Sequence, residues 1–491
     1  MSLDKQIPII YDFGENYEKN KDIWRRQCIY QILTDRFALD DHCTTAPSTG
    51  RMYLGGTWRG IIQKLDYIQS LGCTAVWISP IVKNIEGVTG YGEAYHGYWA
   101  EDLTQLNPHF GTKQDLTELV DQLHKRNMLC MIDIVVNHMA HAGDSPIDYS
   151  KYAPFNSPSH YHPKRFLHNY DDTWDCEIAW LGDEVVSLMD IRTEDQEVHN
   201  FFQNWIRDLI QTYHFDGLRI DTAKHVQKEF YPPFIAAANV FAFGEVYHGD
   251  PKFIAKYLEY IPSAANYPLY YQIENTFFPP KQSMNIFYQK AILEARATSM
   301  DTTILGNFTE NHDVPRFLNR STDYSLLCNT LTLLLFTDGI PIIFQGQEQM
   351  YAGGHDPENR DALWTSNYNQ QNPIFQFLKK LIKLRQFLVD NVSGFTTELS
   401  NMLFVNEHVY VFRRPGVIIV VSNAGSNSDV DTSAEFSITE RESLEFIDVL
   451  SGSRFSSLPT EDSSTISMNL EFSFPRVLVH RGLFHSMNEL A

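Results

Sequence analysis

The sequence predicts an α/β fold: a (β/α)8 TIM barrel with a loop-rich inserted domain after the third strand and a C-terminal antiparallel β-sandwich domain. Three observations predict it. Through the first 390 residues, short apolar runs alternate with longer amphipathic stretches; those runs are almost continuously apolar; and after Gly394 the pattern changes to short strands with turn residues. Continuous apolar runs are typical of parallel strands covered by helices, and about 250 residues plus insertions suit a barrel.

Each early strand candidate follows a helix candidate. The run CTAVWISP follows GIIQKLDYIQSLG, in which apolar residues recur near helical spacing and a glycine ends the helix. NMLCMIDIVVNH follows KQDLTELVDQLHKR, and FDGLRID follows VHNFFQNWIRDLIQTYH. VFAFGEV, TILGNFTENHD and DGIPIIFQGQE are further strand candidates. This repeated order predicts a parallel sheet with helices packed on it.

Two regions break the alternation and set the predicted domain bounds. From His138 to Glu194 the chain is rich in Ser, Pro, Asp, His and aromatic residues, which indicates a long excursion from the barrel. Runs such as HVYVFRRPGVIIVVSNAG near the end read as short antiparallel strands. We therefore expect the barrel over 1–137 and 195–393, an inserted domain over 138–194, and a β-sandwich over 394–491.

The bulk composition excludes several classes of function. The net charge of −22 argues against binding to nucleic acid or to an anionic membrane surface, and no run of 18 apolar residues predicts a membrane span. The N-terminus lacks the pattern of a signal peptide. The six cysteines form no C-x-x-C pair, and Cys73 and Cys130 lie in apolar runs. We expect a reduced, cytoplasmic protein, a monomer, whose partner is neutral.

Polar groups stand repeatedly where a predicted strand ends. Asn137 and His138 end one strand, Arg219 and Asp221 another, and Glu245 a third. In a (β/α)8 barrel these carboxyl ends meet at one mouth, where active sites lie. Arg219 and Asp221 are two residues apart and so point to the same side of their strand, which predicts that Arg219 keeps Asp221 ionised.

Three carboxyl groups, those of Asp221, Glu245 and Asp313, are expected at this mouth. Cleavage of a glycosidic bond needs a nucleophile or base, a proton donor, and stabilisation of an oxocarbenium-like state. Glu245 follows the apolar run VFAFG, which is expected to favour its protonated form. One carboxylate at a strand end is more often a cap or an ion-pair partner, but three on separate strands, each near His, Arg or Asn, favour catalysis.

The motifs MIDIVVNH, GLRIDTAKH, FGEV and TENHDVPR stand in the order and spacing of the four signature regions of the α-amylase family. With GGTWRGIIQKLDYIQSLG, YHGYWAEDLTQLNPHFGT and WLGDEVVSL, the chain most resembles fungal α-amylases. The resemblance implies that Asp221 is the nucleophile, that Glu245 is the proton donor and later the base, and that Asp313 stabilises the transition state. It also implies substrate-binding roles for Tyr98, His138, Arg219, Lys224, His225, His312, Asp356 and Arg360.

Each binding role has a structural alternative. Taken alone, His138 or His312 would more often be a structural histidine whose ring nitrogens are hydrogen-bonded within the protein. Tyr98 alone would more often be a core aromatic residue. Asp356 and Arg360 could form no more than an i, i+4 ion pair on a short helix. The surrounding signature motifs favour the functional reading.

The resemblance further implies a Ca²⁺ ion that ties the inserted domain to the barrel. The matching positions are Asn137, Glu177, Asp190 and the backbone carbonyl of His225. Calcium prefers such oxygen ligands. The alternative is that these are merely solvated acidic residues of a polar loop.

The chain departs from the secreted fungal enzymes at their cysteines, since Leu54 and Ala179 stand at two of those positions. This favours an intracellular member. The resemblance implies an endo-acting α-1,4-glucan hydrolase acting on starch, glycogen or maltooligosaccharides. A 4-α-glucanotransferase shares the same intermediate, and a catalytically weak glucan-binding relative is the third reading. No H-E-x-x-H, G-x-S-x-G or Walker-type motif is present.

Overall fold

The structure is a computed structural model that describes residues 13–40, 50–143, 145–426, 429–440 and 442–489. Cys43 lies outside the described residues. Five further cysteines are buried, and each is a free thiol.

Eight parallel strands form the barrel. In chain order we label them β1 to β8: Ile29–Ile32, Ala75–Ile78, Leu129–Ile134, Gly217–Ile220, Phe241–Gly244, Ser263–Ala264, Gly306–Asn307 and Ile340–Phe344. Neighbours in sequence pair in parallel, and β1 pairs with β8. A parallel bridge between Ala265 and Gly306 joins β6 to β7 and closes the circle. The predicted fold class is confirmed.

Helices cover the barrel. Their bounds are Tyr17–Arg25, Thr34–Phe37, Trp58–Gln63, Leu65–Leu71, Lys113–Lys125, Gln196–Tyr213, Tyr231–Ala238, Pro251–Tyr257, Tyr267–Phe277, Met284–Phe287, Glu294–Arg296, Phe317–Arg320, Tyr324–Phe336 and Pro373–Asn391. The helix Lys113–Lys125 begins with a capping box between Thr112 and Asp115. Gly72 ends another in the left-handed conformation, with φ +100°, as its sequence predicts.

Two elements differ from the prediction. The stretch predicted as one helix before β2 is two helices, because Lys64, with φ −114° and ψ 11°, leaves the helical conformation between them. The strand predicted from TILGNFTENHD is only Gly306–Asn307, because Thr302–Ile304 form a 3₁₀ turn. Local apolar pattern did not distinguish these cases from regular elements.

The excursion after β3 carries a three-stranded antiparallel sheet, built from His138–Ala142, Val186–Asp190 and Leu181–Gly182, and the short helix Thr173–Ile178. Beside it, Val82–Asn84 pairs with Ala100–Leu106. His138 lies directly opposite Asp190 in the small sheet. This pairing holds the first residues after β3 against the far end of the excursion.

The C-terminal region contains two antiparallel sheets. Their strands are Asn401–Val405, Val409–Arg414, Val417–Ser422, Arg476–His480, Glu445–Asp448 and Arg454–Ser456 in the first, and Ser433–Ile438, Ser464–Asn469 and Leu458–Pro459 in the second. Val409 and Val411 join the core between the sheets, whereas Tyr410 and Phe412 join the core shared with the barrel. The period-two alternation of a strand therefore buries both faces. The helix Arg481–Glu489 follows.

No helix among the described residues is both long enough and apolar enough to cross a membrane.

Candidate active site

The three predicted carboxyl groups lie at the carboxyl ends of barrel strands. Asp221 follows β4 and Glu245 follows β5, and their backbone N–H groups donate to Ile134 and Ile220, respectively, both at 2.9 Å. These bonds extend the parallel ladder by one residue, so both side chains are fixed at the mouth of the barrel. Asp313 follows β7 on a loop.

The Arg219 guanidinium connects three buried carboxylates. Its Nη1 lies 2.7 Å from Asp221 Oδ1 and 2.9 Å from Asp133 Oδ1, and its Nη2 lies 3.0 Å from Glu245 Oε2. The N–H of Thr222 also donates to Glu245 Oε2, at 3.0 Å. One cation thus fixes the relative positions of the nucleophile and proton donor predicted by the resemblance.

The surroundings of Asp221 act on its pKa in opposite directions. Burial and the neighbouring Glu245 and Asp133 carboxylates raise the pKa of Asp221 well above its usual value, although Arg219 lowers it. The predicted contact between Arg219 and Asp221 is confirmed, and Arg219 acts on the pKa of Asp221 in the predicted direction, against burial and the neighbouring carboxylates. The apolar run VFAFG does not surround Glu245 on every side, because Arg219 is its ion partner.

Asp133 is a member of this cluster that sequence analysis missed. It lies inside β3, is 1% exposed, and accepts hydrogen bonds from Tyr98 O–H at 2.8 Å and Trp77 Nε1–H at 3.1 Å. Burial raises its pKa to about 6, against the lowering by Arg219. The signal was present in MIDIVV, where a carboxylate interrupts an otherwise apolar strand.

Two aromatic side chains form a flat wall beside the carboxylates. The rings of Tyr98 and His312 stack, with centroids 5.2 Å apart and planes within 1° of parallel. His138 Nε2 lies 3.1 Å from the backbone oxygen of Tyr98. Burial lowers the pKa of His138 to about 4 and that of His312 well below its usual value. Both histidines are therefore neutral near pH 7, with one ring N–H each as a donor.

The other side of the site is built from a chain of ion pairs. Arg360 lies 3.3 Å from Asp313 Oδ1 and 3.2 Å from Asp356 Oδ1, and Asp356 Oδ2 lies 3.0 Å from Arg51 Nε. Tyr95 O–H also donates to Asp356. The i, i+4 pair of Asp356 and Arg360 therefore forms, and both residues also line a cavity that Asp221 and Glu245 line. Asp356 and Arg360 can therefore form an ion pair and still contact a ligand in the cavity.

These groups surround one cavity of about 380 Å³. Its lining includes eight of the predicted residues: Tyr98, His138, Asp221, Glu245, His312, Asp313, Asp356 and Arg360. Sequence analysis assigned no role to Arg51, Tyr91, Leu188 or Thr222, which also line it. Tyr91 stands in the aromatic-rich stretch before Tyr98, which was the available signal.

Lys224 and His225 do not line this cavity. They form the 3₁₀ turn Ala223–His225 after β4. Lys224 Nζ lies 5.6 Å from the ring centroid of Tyr170 and 5.7 Å from that of Phe253, and His225 Nδ1 lies 3.2 Å from the Cys176 backbone oxygen. The turn directs both side chains towards the inserted segment.

Oxygen atoms converge where the inserted segment meets the barrel. The side-chain oxygen of Asn137 lies 2.9 Å from the His225 backbone oxygen and 3.2 Å from Asp190 Oδ1. Three such oxygens repel one another unless a cation lies among them or the amide turns to donate to both acceptors. Glu177 Oε1 instead lies 3.7 Å from Lys228 Nζ.

His162 and Asp190 form a buried ion pair at this junction. His162 contacts Asp190 Oδ2 at 2.6 Å and Glu194 Oε1 at 2.9 Å, and these carboxylates raise the pKa of His162 to about 9. The described part of the chain holds no group of three or more His, Cys, Asp or Glu side chains placed to bind a metal. The calcium ligands predicted from sequence are not such a group, because they include the Asn137 side-chain amide and the His225 backbone carbonyl beside two carboxylates.

Comparison with known proteins agrees with this geometry. Residues 31–367 match the family model described as alpha amylase, catalytic domain. The chain is 42% identical over 467 residues to an alpha-amylase of Saccharomycopsis fibuligera, covering 94% of this chain and 93% of that protein. It is 43% identical to alpha-amylase 2 of Schwanniomyces occidentalis, covering 92% and 90%. An alpha-amylase structure from Malbranchea cinnamomea superposes with a TM-score of 0.90 at 40% identity, covering 95% and 98%.

Proposed function

The chain belongs to the α-amylase family of glycoside hydrolases, and from that premise we propose that it is a retaining, endo-acting α-1,4-glucan hydrolase. Its substrates are starch- or glycogen-like glucans and maltooligosaccharides. The observation that carries the proposal is the Arg219 guanidinium bridging Asp221 and Glu245 at the floor of the cavity. One guanidinium holds the two carboxyl groups beside each other, as a nucleophile and a proton donor that act on the same glycosidic bond require.

The proposed reaction has two steps. An Asp221 carboxylate oxygen attacks the anomeric carbon while Glu245 gives its proton to the leaving glycosidic oxygen. This forms a covalent glycosyl–Asp221 ester and releases the fragment on the reducing-end side, whose new hydroxyl group carries the Glu245 proton. The Glu245 carboxylate then takes a proton from water, whose oxygen attacks the same carbon and displaces Asp221. Two inversions give net retention, and Glu245 regains its proton.

Surrounding groups support each step. The stacked Tyr98 and His312 rings offer a flat surface for a sugar ring, and His138 lines the same cavity. Asp313, at the cavity wall with its side chain 31% exposed, accepts from such hydroxyls. Arg219 contacts the Asp221 carboxylate before attack and after release, so little reorganisation accompanies the change of charge.

A product profile tests the proposal. Purified protein is incubated with maltoheptaose labelled at the reducing end, and chains are separated by length over time. We expect only chains shorter than the substrate, with interior cuts from the earliest samples. Chains longer than seven units would show transfer to a sugar acceptor and favour the glucanotransferase. Unchanged maltoheptaose would contradict both activities and favour the glucan-binding reading.

We also propose that the oxygens of Asn137, Asp190 and His225, with Glu177, hold a calcium ion. The Asp190 carboxylate and the His225 backbone oxygen converge on the Asn137 amide, at 3.2 and 2.9 Å, and this supports it, because an amide oxygen turned towards them would complete a set of three ligands for a hard divalent cation. When bound, the ion would supply a structural link between β3, the strand Val186–Asp190 and the turn after β4. The chemistry at the carboxylates needs no contribution from it.

Removal of calcium is expected to lower the melting temperature. At a free calcium concentration about 100 times Kd, the ion stabilises the folded state by about 2.7 kcal/mol, and a chelator removes that term. Scanning calorimetry with calcium, with magnesium and with chelator measures the difference, and Asp190→Asn should abolish it. An unchanged melting temperature in all three conditions would contradict the calcium site.

The cytoplasmic location is a further proposal. It is supported by Leu54 and Ala179 at positions where the secreted relatives carry cysteine. Cys28 and Cys73 are also buried neighbours, with sulfurs 3.9 Å apart, and both are free thiols. Fractionation of cells expressing the chain from its own gene would test it.

A further inference from the structure

Gln31 lies beneath the catalytic groups and takes no part in the reaction steps described above. It belongs to β1, is 1% exposed, and lies three strands away from β4 in the barrel. Its Nε2 lies 2.8 Å from His312 Nδ1. A buried amide that contacts a substrate-facing histidine from behind controls how that ring presents itself to the cavity.

The contact fixes the tautomer of His312. The Gln31 amide nitrogen carries only donors, so His312 Nδ1 accepts and the ring proton lies on Nε2. His312 Nε2 lies 3.0 Å from Asp313 Oδ2, which accepts that proton. The charged groups that face the ring are Arg360, Arg219, Glu245, Asp313 and Asp356. Gln31 thereby directs the single N–H of the neutral His312 ring towards Asp313, which lines the sugar-binding cavity.

The other end of the amide faces a small cavity behind the carboxylates. The cavity measures about 10 Å³, and its polar lining consists of Gln31, Arg219, Glu245, Tyr267, Asn311 and His312, with apolar residues around them. Gln31 Oε1 and Arg219 Nε are buried and have no hydrogen-bond partner among the described residues. Among the described residues, Glu245 Oε1 accepts one hydrogen bond, a long one of 3.4 Å from the Tyr267 O–H.

One water molecule satisfies these groups together. A space of this size holds about one water, and buried waters typically make about three hydrogen bonds to otherwise unpaired polar atoms. In that arrangement the Arg219 Nε–H would donate to the water oxygen, and the water protons would go to Gln31 Oε1 and Glu245 Oε1.

We propose that Gln31 is a positioning residue, which sets the Nε2–H tautomer of His312 and holds a buried water that links it to Arg219 and Glu245. The kinetic part of this inference deepens the proposed function and rests on it. The tautomer and the water do not, because they can be measured without any substrate.

The first experiment reads the tautomer directly. Protein labelled with ¹⁵N-histidine is compared with Gln31→Met, which keeps the length of the side chain and removes both polar ends. The His312 signal is identified by its loss in His312→Gln. We expect Nε2–H in the unaltered protein and a mixture of tautomers in Gln31→Met. An Nδ1–H tautomer in the unaltered protein overturns the proposal, even if Gln31→Met does not fold.

A matched control separates positioning from general stability. Gln345 is 0% exposed, and its Oε1 accepts from the Leu33 N–H at 3.0 Å without contacting His312 or the carboxylates. Gln345→Met therefore removes an equally buried amide from the adjacent strand. We expect Gln31→Met, and not Gln345→Met, to lower kcat on maltoheptaose by about 10- to 100-fold with little change in KM. Equal effects in both variants contradict a positioning role.

Gln31→Glu gives a signature in the pH profile. A protonated carboxyl at this position donates to His312 Nδ1 as the amide does, whereas an ionised one accepts and forces the ring proton onto Nδ1. Activity should approach that of the unaltered protein at acidic pH and fall as pH rises, and the His312 tautomer should change over the same range. A profile parallel to the unaltered protein at every pH overturns the tautomer assignment. If no variant or parent cleaves glucan, the proposed function fails, while the tautomer result stands separately.

Discussion

Asp221→Asn is expected to lower kcat on maltoheptaose by at least about 10⁴-fold. The amide retains an oxygen that accepts from Arg219 Nη1, which is 2.7 Å from the carboxylate in the structure, so the site keeps its shape. An amide oxygen is too weak a nucleophile to form the glycosyl ester. Steady-state kinetics measures the loss, and calorimetric titration with maltoheptaose should show binding within a few-fold of the unaltered protein.

The control for this substitution is Asp338→Asn. Asp338 is also buried and also pairs with an arginine, Arg296, at 2.6 Å, but it lies away from the cavity. It should lose stability without comparable loss of kcat. Retention of activity within about tenfold by Asp221→Asn would assign the nucleophile elsewhere, and loss of activity in Asp338→Asn alone would point to folding.

Asp221→Asn is also expected to raise the free energy of unfolding at neutral pH. Burial and two neighbouring carboxylates raise the folded-state pKa of Asp221, so the group favours folding below its unfolded pKa of about 3.8 and disfavours it as pH rises through the folded value. A neutral amide avoids that cost. The difference in melting temperature between Asp221→Asn and the parent should therefore grow from acid to neutral pH, as often found where a site is built for activity.

The predictable part of this molecule follows from strand ends. Asp221 and Glu245 could be placed together from sequence because each ends an apolar run, and parallel barrel strands present their carboxyl ends at one mouth. The helix Lys113–Lys125 followed from its amphipathic periodicity. Such features depend on a few adjacent residues and on one architectural rule, so a single sequence contains them.

The unpredicted part depends on contacts between distant segments. Arg51 and Asp356 are 305 residues apart and meet only because two loops pack over the barrel mouth. Gln31 and His312 meet across the interior of the barrel, 281 residues apart. No local sequence pattern predicts which loops contact each other. Asp133 is intermediate: its position was visible, but its pairing with Arg219 required the order of β3 and β4 in the sheet.

Glu245→Gln is expected to show a loss that depends on the leaving group. Cleavage of maltoheptaose should fall by about 10²- to 10⁴-fold, since the leaving sugar oxygen needs a proton that an amide does not supply. A maltooligosaccharyl fluoride needs little protonation, so its glycosylation of Asp221 should remain fast. The half-buried Glu274, which pairs with Arg320 outside the cavity, provides the matched control Glu274→Gln.

Added azide then separates the two roles of Glu245. In Glu245→Gln the glycosyl–Asp221 ester accumulates, because water lacks its general base. Azide is already an anion and needs none. It forms a carbon–nitrogen bond at the anomeric carbon as the ester bond to Asp221 breaks, giving an α-glycosyl azide with retained configuration. We expect azide to restore turnover of the fluoride in Glu245→Gln and to leave the parent and Glu274→Gln unchanged. Equal losses on both substrates with no effect of azide would contradict the acid–base role, and would leave Glu245 as a structural partner of Arg219.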